Sequence, residues 1–102
     1  VRDDVFPGGL LLSPVRALAW DAVTSVVELE VAALGDLFDL EPKPEFLLLG
    51  TGAGLQQPAR AFVRALEAMG VGVEAMDSRA AARAWGVLRA EERWIVAALL
   101  PL

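Results

Sequence analysis

The apolar positions of this chain change their repeat several times, and each change marks an element. Residues 10–12, all leucine, form a short apolar run behind the turn residues Pro7, Gly8 and Gly9. Ser13-Pro14 interrupts the run, after which Val15, Ala17 and Ala19 alternate with Arg16, Leu18 and Trp20. Period two is the repeat of a strand, so the segment reads as a strand, a bend and a second, antiparallel strand. The repeat then lengthens. Val31, Leu34, Leu37 and Phe38 stand at i, i+3, i+6 and i+7, which predicts one face of a helix over residues 31–38. Gly35 weakens that helix, and the prolines of EPKPE stop it, because a residue before proline is pushed out of helical dihedrals.

Residues 46–50 are a continuous apolar run bounded by turn signals, the pattern of a buried parallel strand. Pro58 suits the first turn of a helix, whose apolar face is Phe62, Ala65, Leu66 and Met69 and whose C-cap is Gly70. VGVEAM reads as the next strand, so strand, helix and strand form a βαβ unit, a crossover that is almost always right-handed. Asp77 and Ser78 supply N-cap side chains for an alanine-rich helix over residues 80–88, ending near Gly86. RWIVAALLPL reads as the last strand. The predicted order is ββ-α-β-α-β-α-β, a single α/β domain over residues 1–102 with a mixed sheet. EPKPE is the one linker-like stretch, and there is no internal repeat.

Composition narrows the functional classes. At 56% hydrophobic residues the chain is too apolar to be disordered. No apolar run reaches the roughly 18–20 residues that span a bilayer, so no transmembrane segment is expected. No charged start leads into an apolar signal segment. The chain starts at Val1 rather than methionine, so a segment trimmed upstream stays open. A net charge of −5, with Lys43 the one lysine among nine basic residues, argues against nucleic-acid binding. Cysteine and histidine are absent, which removes disulfides, thiolate nucleophiles, cysteine-based zinc sites and histidine acid–base chemistry. Ser13, Ser25 and Ser78 therefore have no triad partner. The acidic residues lack EF-hand spacing, and neither a metal nor a cofactor is expected.

One candidate site remains. The two strands of the βαβ unit are parallel, so their carboxyl ends share one sheet edge, where open α/β sheets place ligands. Gly50, Thr51, Gly52 and Gln56 lie at the first end, Asp77 and Ser78 at the second. The glycines can turn backbone N–H groups inward, and a helix N-terminus adds positive potential. Thr51, Gln56 and Ser78 offer neutral polar contacts, and Asp77 an acceptor. A dinucleotide fingerprint fails in both registers, with Leu55 or Gln57 where the third glycine belongs. No Gly-Lys-Ser/Thr ending makes a P-loop. The same residues also serve a purely structural purpose, as a tight strand exit and an N-cap. Arg79 and Arg83 share a helix face and could clamp an anion or simply be solvated. Trp20, Trp85 and Trp94 belong to the core if buried and to an interface if exposed.

PEFLLLGTG, the helix opening near Pro58, GVGVEAMDS, AARAWGVL and AALLPL occur in an order and spacing that resembles the small-domain family of mitochondrial complex I assembly factor 3 and its bacterial and archaeal relatives. The resemblance covers nearly the whole chain and is weakest over the early strands. It implies a three-layer α/β fold with a central mixed sheet, and a role in assembling respiratory complex I. It carries no catalytic residue; the matching motif positions are Gly50, Thr51, Gly52, Met76 and Asp77. The chain departs from the family at residues 83–88, where relatives read R-T-Y-N-V-L, and at Glu91-Glu92-Arg93, where they carry an acidic-glycine-basic turn. The first expectation is thus a non-enzymatic interaction or assembly-factor-like domain, docking a protein partner through an exposed apolar patch. It would be cytoplasmic in a bacterium or mitochondrial in a eukaryote. A ligand or enzyme site at the glycine turn with Asp77 is the second, and an inert structural module the third. Oligomeric state is not legible.

Overall fold

The structure, a computed structural model, describes residues 9–20 and 25–101. Pro7 and Gly8, read above as turn residues, lie outside the described residues. Among these residues five strands form one mixed sheet: β1 (Gly9–Leu12), β2 (Ala17–Trp20), β3 (Phe46–Gly50), β4 (Gly72–Met76) and β5 (Val96–Leu99), in the spatial order β2-β1-β5-β3-β4. Two α-helices, α1 (Arg60–Ala68) and α2 (Ser78–Ala90), connect the parallel strands. β1 pairs antiparallel with β2 and with β5, whereas β3 pairs parallel with both β4 and β5. The expected hairpin and βαβ unit are both present.

Chain direction explains the three layers. From β3 the chain steps outward to β4 through α1, then turns back across β3 to β5 through α2. Right-handed crossovers running in opposite directions must lie on opposite faces of a sheet. Accordingly, Phe62 and Leu66 of α1 pack with Leu47, Leu49, Val96 and Ala98 on one face. Ala81 and Trp85 of α2 pack with Leu48, Ala97 and Leu99 on the other. β3 and β5 are covered on both sides, which is why FLLLG and VAAL read as unbroken apolar runs.

The helix expected over residues 31–38 is absent. Two 3₁₀ turns, Val26–Glu28 and Val31–Leu34, take its place and cover the α1 face beside that helix. Gly35 is the cause: at φ 59° and ψ −130° it leaves helical space and directs the chain into a turn. Other boundaries shift less. α1 starts two residues after Pro58, because Ala59 as N-cap is extended. α2 does not stop near Gly86 but runs on to Ala90, carried by Leu88 packing onto the sheet. The last strand is trimmed to Val96–Leu99, and the second begins at Ala17 once the 13–16 turn has closed, with Ser13 N–H donating to the Arg16 carbonyl at 2.9 Å.

The C-terminus of α1 shows how sequence sets a boundary. Gly70 adopts φ 84°, its N–H donates to the Glu67 carbonyl at 3.0 Å, and Val71 N–H donates to the Leu66 carbonyl at 3.0 Å. This is a Schellman cap, with its hydrophobic contact supplied by buried Val71 and Leu66 in one cluster.

Candidate functional site

β3 and β4 lie side by side, yet their following helices go to opposite faces. Their carboxyl ends therefore form a topological switch point, the place where open sheets leave a crevice. The structure brings the predicted residues together there, and the crevice is filled by the chain itself. Thr51 N–H donates to the Met76 carbonyl at 2.8 Å. The Gly52 peptide is held twice by one residue: its N–H donates to Ser78 Oγ at 2.9 Å and its carbonyl accepts from Ser78 N–H at 2.8 Å. Ser78 Oγ in turn donates to the Leu100 carbonyl at 2.7 Å. One buried hydroxyl thus ties three chain segments: the β3 exit, the start of α2 and the end of β5.

Thr51 performs a matching task inside the turn. Its hydroxyl donates to the Gly54 carbonyl at 2.6 Å, has the Met76 carbonyl as a second acceptor at 3.2 Å, and accepts from Gln56 N–H at 3.1 Å. Asp77 caps α2, accepting from Ala80 N–H at 2.9 Å. Both hydroxyls, at Thr51 and Ser78, are buried and occupied by backbone partners. The exposed Gln56 contributes its backbone to this arrangement. Gly50 is required by space. A Cβ there would stand 2.8 Å from Ser78 Oγ and 2.9 Å from Ser78 Cα. Gly52 is required by its φ of 99°.

The opposite edge of the sheet carries the shorter of two ion pairs among the described residues. Arg93 Nη2 lies 2.7 Å from Glu45 Oε1, and its guanidinium sits over the Phe46 ring. The hydrogen bond from Arg93 holds the Glu45 carboxyl below its ordinary range, and Glu45 in turn raises Arg93. Trp94 Nε1 donates to the Pro42 carbonyl at 2.6 Å, docking the EPKPE stretch at the same edge.

Cavities open elsewhere among the described residues. One, of about 190 Å³, lies between the β1–β2 hairpin and residues 34–40. The other, of about 490 Å³, lies between the 3₁₀ turns and α1. Neither is lined by Gly50, Thr51, Gly52, Gln56, Asp77 or Ser78. Among the described residues no cluster of His, Cys, Asp and Glu could hold a metal, and no helix is long and apolar enough to cross a membrane. Trp20 is buried, donating through Nε1 to the Ala33 carbonyl at 3.0 Å, while Trp85 and Trp94 are half-buried. Among the described residues the exposed large apolar side chains are Val15, Leu18, Val27, Leu55 and Val87. Sequence reasoning looked for the exposed patch at tryptophan and passed over the first two of these. The signal for them was an uncharged Ala-Leu-Ala strand next to a turn.

The fold and its bonded switch point define a small three-layer α/β domain whose loops are locked by its own hydroxyls. The chain belongs to the protein family of unknown function described as DUF498/DUF598, which matches residues 1–100. It is 37% identical over 98 residues to an uncharacterized protein of Rhodobacter capsulatus, covering 96% of this chain and 73% of that one. It is 33% identical over 94 residues to NADH dehydrogenase [ubiquinone] 1 alpha subcomplex assembly factor 3 of Danio rerio, covering 92% of this chain and 53% of that protein. The chain thus spans about half the length of the zebrafish relative. A crystal structure of a Bordetella parapertussis protein superimposes with a TM-score of 0.80 at 40% identity, over 92% of this chain and 79% of that one. The family resemblance read from LLLGTG and the MDS junction is therefore correct.

Proposed function

We propose that this chain is a protein-interaction domain that supports the assembly of respiratory complex I, with no catalytic chemistry of its own. The observation that carries this reading is the match of 92% of the chain to a protein named as an assembly factor. The state of the switch point supports it, since the Thr51 and Ser78 hydroxyls are buried and spent on backbone carbonyls rather than aimed at a substrate. The test is deletion in the cell of origin. Native gels of membranes should show less assembled complex I and more partial complexes, reversed by the wild-type chain. Unaltered assembly in the deletion strain would overturn the reading.

A second reading keeps a small ligand at the switch point, held by Gly50, Thr51, Gly52, Gln56, Asp77 and Ser78. Its support is their convergence where α/β sheets place ligands. A thermal-shift screen with nucleotides, sugar phosphates and acyl compounds tests it. Ligand present at about 100 times Kd should stabilise by roughly 2.7 kcal/mol, and a flat response across the screen would remove the reading.

A further inference from the structure

The two edges of the sheet are treated differently. β4 carries the exposed carboxylate Glu74 at its centre, a charge that discourages pairing with another strand. β2, at the other edge, presents Ala17, Leu18 and Ala19, all exposed and uncharged, and among the described residues no strand pairs with its outer side. The ladder shows which groups point outward. Ser13 and Arg16 form the bonded pair that closes the hairpin, so bonding to β1 alternates to Leu18 and Trp20. The N–H and C=O groups of Ala17 and Ala19 therefore face away from the sheet.

Leu18 pairs with Leu11, and both line the cavity of about 190 Å³ with Val15, Leu34, Leu37 and Leu40. Its mouth is charged. Arg16 is spent on Asp36 at 3.4 Å, whereas Asp39 makes no ion pair among the described residues. We propose that β2 and this cavity form a docking site for an extended segment of a partner protein. That segment adds a sixth strand antiparallel to β2, seats one large aliphatic side chain opposite Leu18, and carries a lysine or arginine two residues away. Residues opposite Leu18 form a non-hydrogen-bonded pair, the close kind, on the cavity side of the sheet. Backbone bonds to Ala17 and Ala19 supply affinity, and the cavity supplies selectivity.

A second copy of this chain fits poorly. From its own β2 it could offer Arg16, Leu18 or Trp20 to that face. The first is paired, the second lines its own cavity and the third is buried. Four strand residues also bury far less than the roughly 1,200 Å² of a stable protein pair. The inference deepens the interaction reading above and rests on it.

The experiment uses the full chain, ¹⁵N-labelled, and the peptide acetyl-Thr-Lys-Thr-Leu-Thr-Lys-Thr-amide. Amide shifts should move at Ala17, Leu18, Ala19, Leu11 and Leu37. Replacing the central leucine by glycine, methylating the backbone nitrogens of the threonines beside it, or changing both lysines to glutamate should each weaken binding, the first by about tenfold. Ala19→Pro, which removes an outward N–H and leaves the β1 ladder intact, should do the same. The methylated peptide gives this test without altering the protein. No shifts at millimolar peptide, shifts centred elsewhere, or undiminished binding of the methylated peptide would overturn the proposal. So would concentration-dependent shifts at residues 17–19 without peptide, which would assign the edge to a second copy. Complex I assembly in the deletion strain is read independently. Normal assembly there sinks the interaction reading, whereas impaired assembly with no peptide binding sinks the β2 site alone.

Discussion

Ser78 acts through one oxygen on two backbone groups that have no other partner among the described residues. Ser78→Ala leaves the Gly52 N–H and the Leu100 carbonyl unpaired in a buried place, a loss of about 1–3 kcal/mol that urea unfolding would measure. Gly50→Ala is expected to cost a similar amount, about 1–3 kcal/mol, by overpacking against Ser78 and Leu99. Pairing the two substitutions is informative, because both act on one contact and their effects should not add. Glu45 offers a pH handle. Its carboxyl is held low by Arg93 in the folded chain, so its contribution is present above the unfolded carboxyl pKa and is lost as pH falls through the folded value. The urea midpoint of Glu45→Gln should lie slightly below wild type at neutral pH, and the gap should close in acid. A gap that stays constant with pH would mean that the ion pair is not its source.

Glycines sort by element. Gly70 closes α1 at φ 84°, so Gly70→Ala should cost about 1–2 kcal/mol, the left-handed penalty for an L-residue. Gly86 sits inside α2 with open space around a Cβ, so Gly86→Ala should stabilise by about 0.5–1 kcal/mol. Thermal unfolding of the two variants should therefore move in opposite directions. These elements also show what the sequence discloses. α1 was legible because its apolar face and its terminating glycine agree. The segment over 31–38 misled because Val31, Leu34 and Leu37 are spaced by three, which is the 3₁₀ repeat, and Phe38 alone added the α-helical step. Gly86 misled in the other direction: nothing in the sequence says that Leu88 beyond it packs on the sheet.

At the scale of the molecule, the mixed sheet, its strands and the two helices of its parallel half followed from period changes and turn residues, while the helix expected before β3 did not form. The place of β5 between β1 and β3 did not follow, because it depends on long-range packing that no local pattern records. The candidate site was legible as a meeting of Gly50, Gly52, Thr51, Asp77 and Ser78, yet its internal bonding was not, since a serine donating to a carbonyl 22 residues away leaves no mark in sequence. Hydrogen exchange should rank the strands. Amides of β3 and β5, covered on both faces, should be slowest, and within β2 the Ala17 and Ala19 amides should exchange well before Leu18. Equal protection across residues 17–19 would contradict the outward orientation assigned to that edge. The place of β5 also bears on how the protein is made. Among the described strands it comes last in the chain, and it joins the hairpin to the parallel half. Until residues 96–99 are free to pair, the β1–β2 hairpin and the β3–β4 pair share no strand ladder. A chain stalled or truncated before Val96 should then be recognised by chaperones and proteases as unfolded, however complete the rest of it is.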